Sequence, residues 1–391
     1  MRAWHPLTVA PPTGDKPAED NESFVQATGH FSPVVVGNKA VALPVALTFT
    51  GISTVVVTGA AGNLGRRVTA YLASRPTVER VLAVDRLPMP ATAPEVEVHA
   101  FDLAYPGAAD ELAALGKQAD AIVHLAWQPE GKDNLRVLEN VLYAADAIEP
   151  AQFVHLSSGT VYGAWPDNAV PLTEEAAPRP NPKLPYAVEK RAAEVEVERW
   201  ARDNPGVAVA LLRPACTIGP EGHPLYQALA ASKRPPLGAE GRLVQYLHID
   251  DLAKAVVHTF EQGLSGTYNV APDGGVQEEV AGTLAGRSAA LPLPAPMRAA
   301  ASAWRWRLWR QGVPPGARAY SENTWVIAGD KLRSAGWQPE YSSEQALVVS
   351  DERAHWDDLP PGRLASATLT AAAVMVVAAG AGSAAWWRHR H

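Results

Sequence analysis

From Thr54 onward, short runs of Val, Ile and Leu alternate with longer stretches in which apolar residues recur every three to four positions. The runs Thr54–Val57, Val81–Val84, Glu95–Ala100, Ala121–His124, Phe153–Leu156 and Val207–Leu212 predict strands, and Leu64–Ser74, Asn134–Ala147 and Tyr186–Asp203 predict helices. The strands are apolar at consecutive rather than alternate positions, so both of their faces are buried, which requires helices on both sides of the sheet. The expected fold is an α/β Rossmann-like doubly wound parallel sheet. After Pro220 the pattern weakens. A strand Leu243–Ile249, a helix Asp250–Glu261 and a strand Gly266–Val270 are separated by Pro- and Gly-rich segments, which predicts a smaller C-terminal substrate lobe interleaved with the last sheet elements.

The ends of the chain read differently. The first 22 residues are rich in Pro, Thr and acidic side chains and predict a loose tail. The apolar run Ala40–Ile52 is too short to span a bilayer and too far from Met1 for an ordinary signal peptide, so it is expected to pack locally. Between Pro292 and Pro315, Ala300, Trp304 and Leu308 share one helical face while Trp306, Arg307 and Arg310 lie opposite. That pattern predicts either a helix laying its Trp residues on the core or a basic aromatic helix that touches a membrane or an anionic ligand.

The 391 residues are 47% hydrophobic and 19% charged, ordinary globular usage that argues against wholesale disorder. Lys and Arg total 34 against 41 Asp and Glu, a net charge of −7, which argues against nucleic acid as a partner. Cys216 is the only cysteine, excluding an internal disulfide and any multi-Cys metal centre.

The first strand runs into Thr58-Gly59-Ala60-Ala61-Gly62-Asn63-Leu64-Gly65, a G-x-x-G-x-x-G segment that opens a helical pattern. One glycine turns the chain sharply, one lets backbone N–H groups approach a pyrophosphate, and one packs helix on strand. The pyrophosphate then sits at the positive end of the helix dipole. Asp85 follows at the end of the next strand, where a carboxylate can accept both ribose hydroxyls of an adenosine. The adjacent Arg86 could pair with the 2′-phosphate of NADP, but Asp85 repels that phosphate, so the expected cofactor is NAD. Asp102, after the third strand, meets either the adenine amino group or its own turn.

Tyr186 and Lys190 lie four apart on one helical face. Ser158 follows the strand Phe153–Leu156 at a carboxyl edge, where open α/β sheets bind ligands. Its hydroxyl can hold a substrate oxygen, while the Lys190 charge is expected to lower the pKa of Tyr186 and make it a proton carrier.

These residues resemble the extended short-chain dehydrogenase/reductases, specifically the NAD-dependent epimerase/dehydratase branch, over about residues 53 to 348. The resemblance rests on Gly59–Gly65, Asp85, His124-Leu125-Ala126, Leu156-Ser157-Ser158-Gly159-Thr160-Val161-Tyr162-Gly163, Tyr186 with Lys190, Leu211-Leu212-Arg213-Pro214, Tyr246–Ala253 and Gly336-Trp337-Gln338-Pro339. It implies that Tyr186 is the catalytic acid/base, that Lys190 binds the nicotinamide ribose and tunes Tyr186, and that Ser158 orients the reacting hydroxyl or carbonyl. Ser157 falls to a supporting role. The implied cofactor contacts are Gly59, Gly62, Asn63, Leu64, Gly65, Asp85, Arg86, Asp102, Leu103, Leu125, Ala126, Tyr186, Lys190 and Pro214, with no metal. His124 is expected to be a structural histidine beneath the cofactor, and Asp250 to cap the helix that follows it. Sugar-nucleotide members of the branch usually carry Asn where this chain has Cys216, and a thiol lacks the paired donor and acceptor of an amide.

The domain organisation expected is an N-terminal extension over 1–52, an NAD-binding domain over 53–219, the substrate lobe over 220–348 and a tail over 349–391. The activity expected is NAD-dependent hydride transfer at a carbinol or carbonyl carbon of a small molecule, as in an epimerase or dehydratase. A net alcohol dehydrogenase or ketoreductase acting on an apolar or steroid-like substrate stands beside it, as does a non-catalytic NAD-binding sensor or scaffold. Homodimers are common in such a family. Residues 365–387 carry no charge and end in Trp386-Trp387 before Arg388. A helix of that length reaches across about 30 Å of hydrocarbon, so the expectation includes a C-terminal membrane anchor on a cytoplasmic enzyme.

Overall fold

The computed structural model describes residues 34–36, 39–41, 53–128, 131–220, 225–226, 229, 241–284 and 315–352. The Trp-rich stretch Pro292–Pro315 falls almost wholly outside these, as does the candidate anchor 365–387. No helix among the described residues is long and apolar enough to cross a membrane. The chain divides into two compact units, Met1–Val45 and Ala46–His391. In the first, strand β1 (Val34–Val36) pairs antiparallel with β2 (Lys39–Val41), a hairpin the sequence reading did not include.

The second unit is built on β3 (Ser53–Thr58), α1 (Asn63–Ala73), β4 (Val78–Asp85), β5 (Val96–Ala100), α2 (Ala108–Leu115), β6 (Ala121–His124), α3 (Asn134–Ile148), β7 (Gln152–Leu156), α4 (Pro185–Asp203) and β8 (Ala208–Pro214). It continues with β9 (Cys216–Ile218), β10 (Leu243–Val244), β11 (Tyr246–His248), α5 (Ile249–Glu261), β12 (Gly266–Val270), β13 (Val276–Gln277) and α6 (Glu278–Leu284). Seven strands form one parallel sheet in the order β12-β8-β7-β6-β3-β4-β5. The order reverses between β3 and β6, which opens a crevice at the carboxyl ends of these two strands.

The two-residue period of the strands decides which layer each side chain joins. Val55 and Val57 pack with Val68 and Leu72 of α1 and with Val256 and Phe260 of α5. Val56 and Leu82 face the other way, onto Leu112 of α2, Leu138 and Val141 of α3, and Val197 of α4. A strand apolar at every position thus serves two cores.

The predicted strand Leu243–Ile249 is instead two short ones with different partners: β10 pairs antiparallel with β13, and β11 pairs parallel with β9. Gln245 makes the break. Its amide nitrogen donates to the carbonyls of Pro272, Gly274 and Ile327, and its amide oxygen accepts the Ile327 N–H. The α5 cap also differs from expectation. His248 Nδ1 accepts the Asp250 N–H at 3.3 Å, while the Asp250 carboxylate turns to Arg67 Nε at 2.7 Å. An available guanidinium outcompetes the helix end for that carboxylate.

Candidate active site

The predicted site residues lie at the carboxyl ends of the strands, in the turns that follow them, and on the first two turns of α1 and α4. Gly59 leaves β3 with φ at +74°, and a Cβ there would stand 2.6 Å from the backbone nitrogen of Ala126, at the end of β6. Only glycine allows both that conformation and that approach. Gly65 is tighter still: a Cβ would stand 2.0 Å from the Gly59 carbonyl oxygen. Gly62 is the N-cap of α1 and supplies no side-chain hydrogen bond, and the first turn holds no acidic residue. The first turn of the helix thus carries no acidic side chain of its own, and its N–H groups and positive dipole end make a cradle suited to a pyrophosphate.

Around this cradle, Asn63 donates to the Pro220 carbonyl and Arg67 reaches the Asn63 side chain. Leu64 packs against the core from the first turn of α1. The Asp85 carboxylate ends β4 and accepts the N–H of Ala61, inside the glycine turn, at 3.0 Å and that of Leu87 at 2.9 Å. Two carboxylate oxygens have about four acceptor sites in all, so capacity for ribose hydroxyls remains. Arg86 is exposed beside it. Asp102 takes the turn role: its carboxylate accepts the Ala104 N–H at 2.9 Å. Leu103 is buried, with its carbonyl accepting from Asn140. Leu125 and Ala126 stand half-buried against Gly59, and Pro214 ends β8.

Ser158 opens a 3₁₀ turn over Gly159–Tyr162 as its N-cap, accepting the Thr160 N–H at 3.1 Å. Its hydroxyl is fully buried and shares hydrogen bonds with Thr160 Oγ1 at 2.7 Å and with the phenol of Tyr226 at 2.6 Å. Tyr186, in the first turn of α4 after Pro185, hydrogen-bonds both Ser158 and Tyr226. Its ring meets those of Tyr226 and Trp127 edge-on, each at 6.4 Å between centroids. Three hydroxyls, from Ser158, Tyr186 and Tyr226, therefore converge. Ser157 turns away, donating to Glu194 at 2.6 Å. Glu194 also holds the buried Arg213 through two hydrogen bonds.

Lys190 sits one turn below Tyr186 and is buried. Its Nζ donates to the Leu156 carbonyl at 2.8 Å and lies 3.7 Å from the centre of the Trp127 ring. Burial drives its pKa down to about 7, against the pull of Glu194 and Glu189. The expected lowering of Tyr186 by Lys190 is not met. Burial pushes the phenol up to about 12, and the opposing pulls come from hydrogen bonds with Tyr226 and Ser158. The ammonium is spent on a carbonyl and an indole face, and desolvation outweighs what reaches the phenol. His124, the last residue of β6, shares a hydrogen bond with Thr58 Oγ1 at 2.7 Å and stacks on His155 at 5.3 Å. Burial, aided by Lys190, holds it down at about 3, hence neutral.

Two site residues escaped the sequence reading. Trp127 carried a faint signal, being an aromatic just after the strand end Leu125-Ala126. Tyr226 carried none, since it lies in the least patterned part of the chain.

Comparison with known proteins agrees with this architecture. The model of the NAD dependent epimerase/dehydratase family matches residues 55–271. GDP-6-deoxy-D-mannose reductase of Pseudomonas aeruginosa is 32% identical over 209 residues, which are 50% of this chain and 62% of that protein. The chain thus matches less than two thirds of that relative's length. Among solved structures, UDP-glucose 4-epimerase of Thermus thermophilus in complex with NAD superposes with a TM-score of 0.58 at 22% identity, covering 76% of this chain and 98% of the epimerase. The dTDP-glucose 4,6-dehydratase of Bacillus anthracis in complex with NAD gives 0.59 at 18% identity, covering 78% and 98%.

Proposed function

The chain belongs to the NAD-dependent epimerase/dehydratase family, and from that premise we propose that it is an NAD-dependent oxidoreductase working through Ser158, Tyr186 and Lys190 on a carbinol or carbonyl carbon. The observation that supports this reading best is the convergence of the Ser158 and Tyr186 hydroxyls beside a glycine cradle at the reversal point of the sheet. NAD would be held by the Gly59–Gly65 turn, the start of α1 and Asp85, and would supply the hydride acceptor. Arg86 lies in the open beside Asp85, and the carboxylate already ordered by Ala61 favours NAD over NADP, whose extra phosphate it would repel.

Ser158 donates to or accepts from the reacting oxygen and fixes its position. Tyr186 exchanges a proton with that oxygen. A phenol held protonated by burial is suited to give its proton to an alkoxide forming from a carbonyl, and the same phenolate takes a proton back in the oxidative direction. Lys190 adds positive charge below Tyr186 when protonated, and its anchoring to Leu156 and Trp127 sets where that charge lies.

The test uses the full chain with NAD and, in parallel, NADP, offered sugar nucleotides and apolar secondary alcohols. Wild type is expected to convert one of them with NAD, either with net NADH formation or with an isomerised product and no net reduction. Tyr186→Phe should lose about 10²- to 10⁴-fold in turnover while NAD affinity stays within about twofold, since only the proton carrier is removed. Undiminished turnover in the variant would refute the assigned mechanism.

A further inference from the structure

Lys190 is a buried amine without an ion pair among the described residues. It is 3% exposed. Its Nζ donates to the Leu156 carbonyl at 2.8 Å and stands 3.7 Å from the centre of the Trp127 ring. Two carboxylates of its own helix, Glu194 and Glu189, pull on its proton, but each is engaged elsewhere. Glu194 binds Arg213 and Arg191 and accepts from Ser157, and Glu189 accepts from Asn134 at 3.1 Å. From the sheet, His124 of β6 and its register partner His155 of β7 face the amine, and burial holds both neutral. Tyr186, one turn above, is a protonated phenol.

An ammonium taken out of water gives up its proton unless dipoles or a π face replace the lost hydration. The Leu156 carbonyl supplies one such dipole. The indole supplies the π face: a cation within about 6 Å of a Trp centroid is attracted by the negative face of the ring, most strongly when desolvated.

The chain fixes this ring from both sides. Before it, Ala126 is pressed against Gly59. After it, Gln128 is clamped by the buried Asn134, whose side chain accepts the Gln128 N–H and donates to the Gln128 carbonyl, each at 2.8 Å. The same amide donates to Glu189, which ties the loop to the helix that carries Lys190. The indole N–H is buried and has no hydrogen-bond partner among the described residues. The ring is therefore placed by its backbone and its packing, and not by a bond of its own.

We propose that Trp127 is a positioning residue whose ring face keeps the buried Lys190 protonated beneath Tyr186. The use of that charge in the reaction rests on the catalytic reading above, whereas the charge itself is measurable without turnover.

The test follows the Lys190 side chain by NMR in the full chain labelled with carbon-13 at lysine, titrated over about pH 5 to 10. Its signal is identified by its absence in Lys190→Met. Wild type is compared with the same chain grown on mono- and difluorotryptophan, which keep the shape of the indole and withdraw electrons from its face, and with Trp127→Phe. Fluorination should lower the Lys190 pKa by roughly half a unit, and more with two fluorines than with one. Trp127→Phe, whose face attracts a cation less than an indole does, should lower it as well. In Trp127→Phe the fluorinated and ordinary chains should give the same value, which assigns the effect to this ring among the 12 tryptophans. A ring that served only as packing would not respond to fluorine. The proposal is overturned if fluorination leaves the Lys190 pKa unchanged or raises it, or if fluorination still moves it in Trp127→Phe. Should Trp127→Phe fail to fold, the fluorinated wild-type chains decide the matter alone. Failure of the catalytic reading would appear instead as Tyr186-independent turnover, because the titration needs neither substrate nor NAD.

Discussion

Tyr226 changes the account of how Tyr186 ionises. Its phenol is bonded to Ser158 at 2.6 Å and to Tyr186 itself, and the hydrogen bond from Tyr226 is the leading influence pulling the Tyr186 pKa down against burial. Other groups face this point from several elements: Thr160 from the turn after β7, Trp127 from the end of β6, Cys216 from β9 and Lys190 from one turn below. Ser158, also bonded to Tyr186, exerts the second and smaller pull in the same direction. A hydrogen bond is worth about 1 kcal/mol net, close to one pKa unit. We therefore expect Tyr226→Phe to raise the Tyr186 pKa by about one unit and to lower oxidative turnover roughly tenfold at pH 8, where the phenolate is the reactive form. The ascending limb of kcat/KM should move up by the same unit, so that raising the pH restores the rate. A loss that persists at every pH, or no loss, would show that Tyr226 does something else.

At the scale of the element, the glycine turn and α1 act as one device. A Cβ at Gly65 would meet the Gly59 carbonyl oxygen at 2.0 Å and the Ala60 Cα at 2.7 Å, both backbone atoms that cannot rotate aside. Gly65→Ala must therefore spread the turn from the helix. The expected result is a loss of about 1–3 kcal/mol in stability, typical of overpacking, together with at least a tenfold loss of NAD affinity. Gly206→Ala is the matched control, because nothing lies within 4 Å of its Cβ position. It should leave NAD binding unchanged and stability equal or slightly raised, through lower entropy of the unfolded chain. Calorimetric NAD titration and urea denaturation of the two variants check both statements. Equal NAD affinity in Gly65→Ala and wild type would mean that the turn is not the cofactor cradle.

For the molecule as a whole, the buried lysine links stability to pH. Lys190 is depressed from 10.5 to about 7 by burial. Between those values the unfolded chain binds a proton at this residue and the folded chain does not, so stability rises with pH across the window. Below about pH 7 both states carry the proton and the burden is constant. Above the unfolded pKa neither does, and it vanishes. The slope inside the window approaches about 1.4 kcal/mol per pH unit for one proton. Other groups titrate too, and the comparison with Lys190→Met isolates this one. Measured by urea denaturation at pH 7 and pH 9, wild type should gain on the variant by about 2 to 3 kcal/mol over the two units. A difference that does not change with pH would place the Lys190 proton in the folded state throughout.

The sequence by itself determined the doubly wound sheet, the glycine turn and the position of Ser158, Tyr186 and Lys190 at its edge. Each depends on neighbours within a turn or a strand: consecutive apolar residues bury a strand on both faces, a glycine triplet permits one backbone path, and a four-residue spacing aligns two side chains on a helix. Tertiary structure decided what those side chains do. It directed Lys190 to the Leu156 carbonyl and the Trp127 ring rather than to the Tyr186 phenol, and brought Tyr226 against Ser158 from 68 positions away. It made His248 the cap and gave Asp250 to Arg67, and it broke one predicted strand at Gln245. It also paired the buried Arg242 with Glu278, 36 positions away. These outcomes turn on which of several polar partners arrives first-hand in space and on how much water each group loses. Neither quantity is encoded in local spacing, because both depend on segments that meet only after the sheet has closed its two cores.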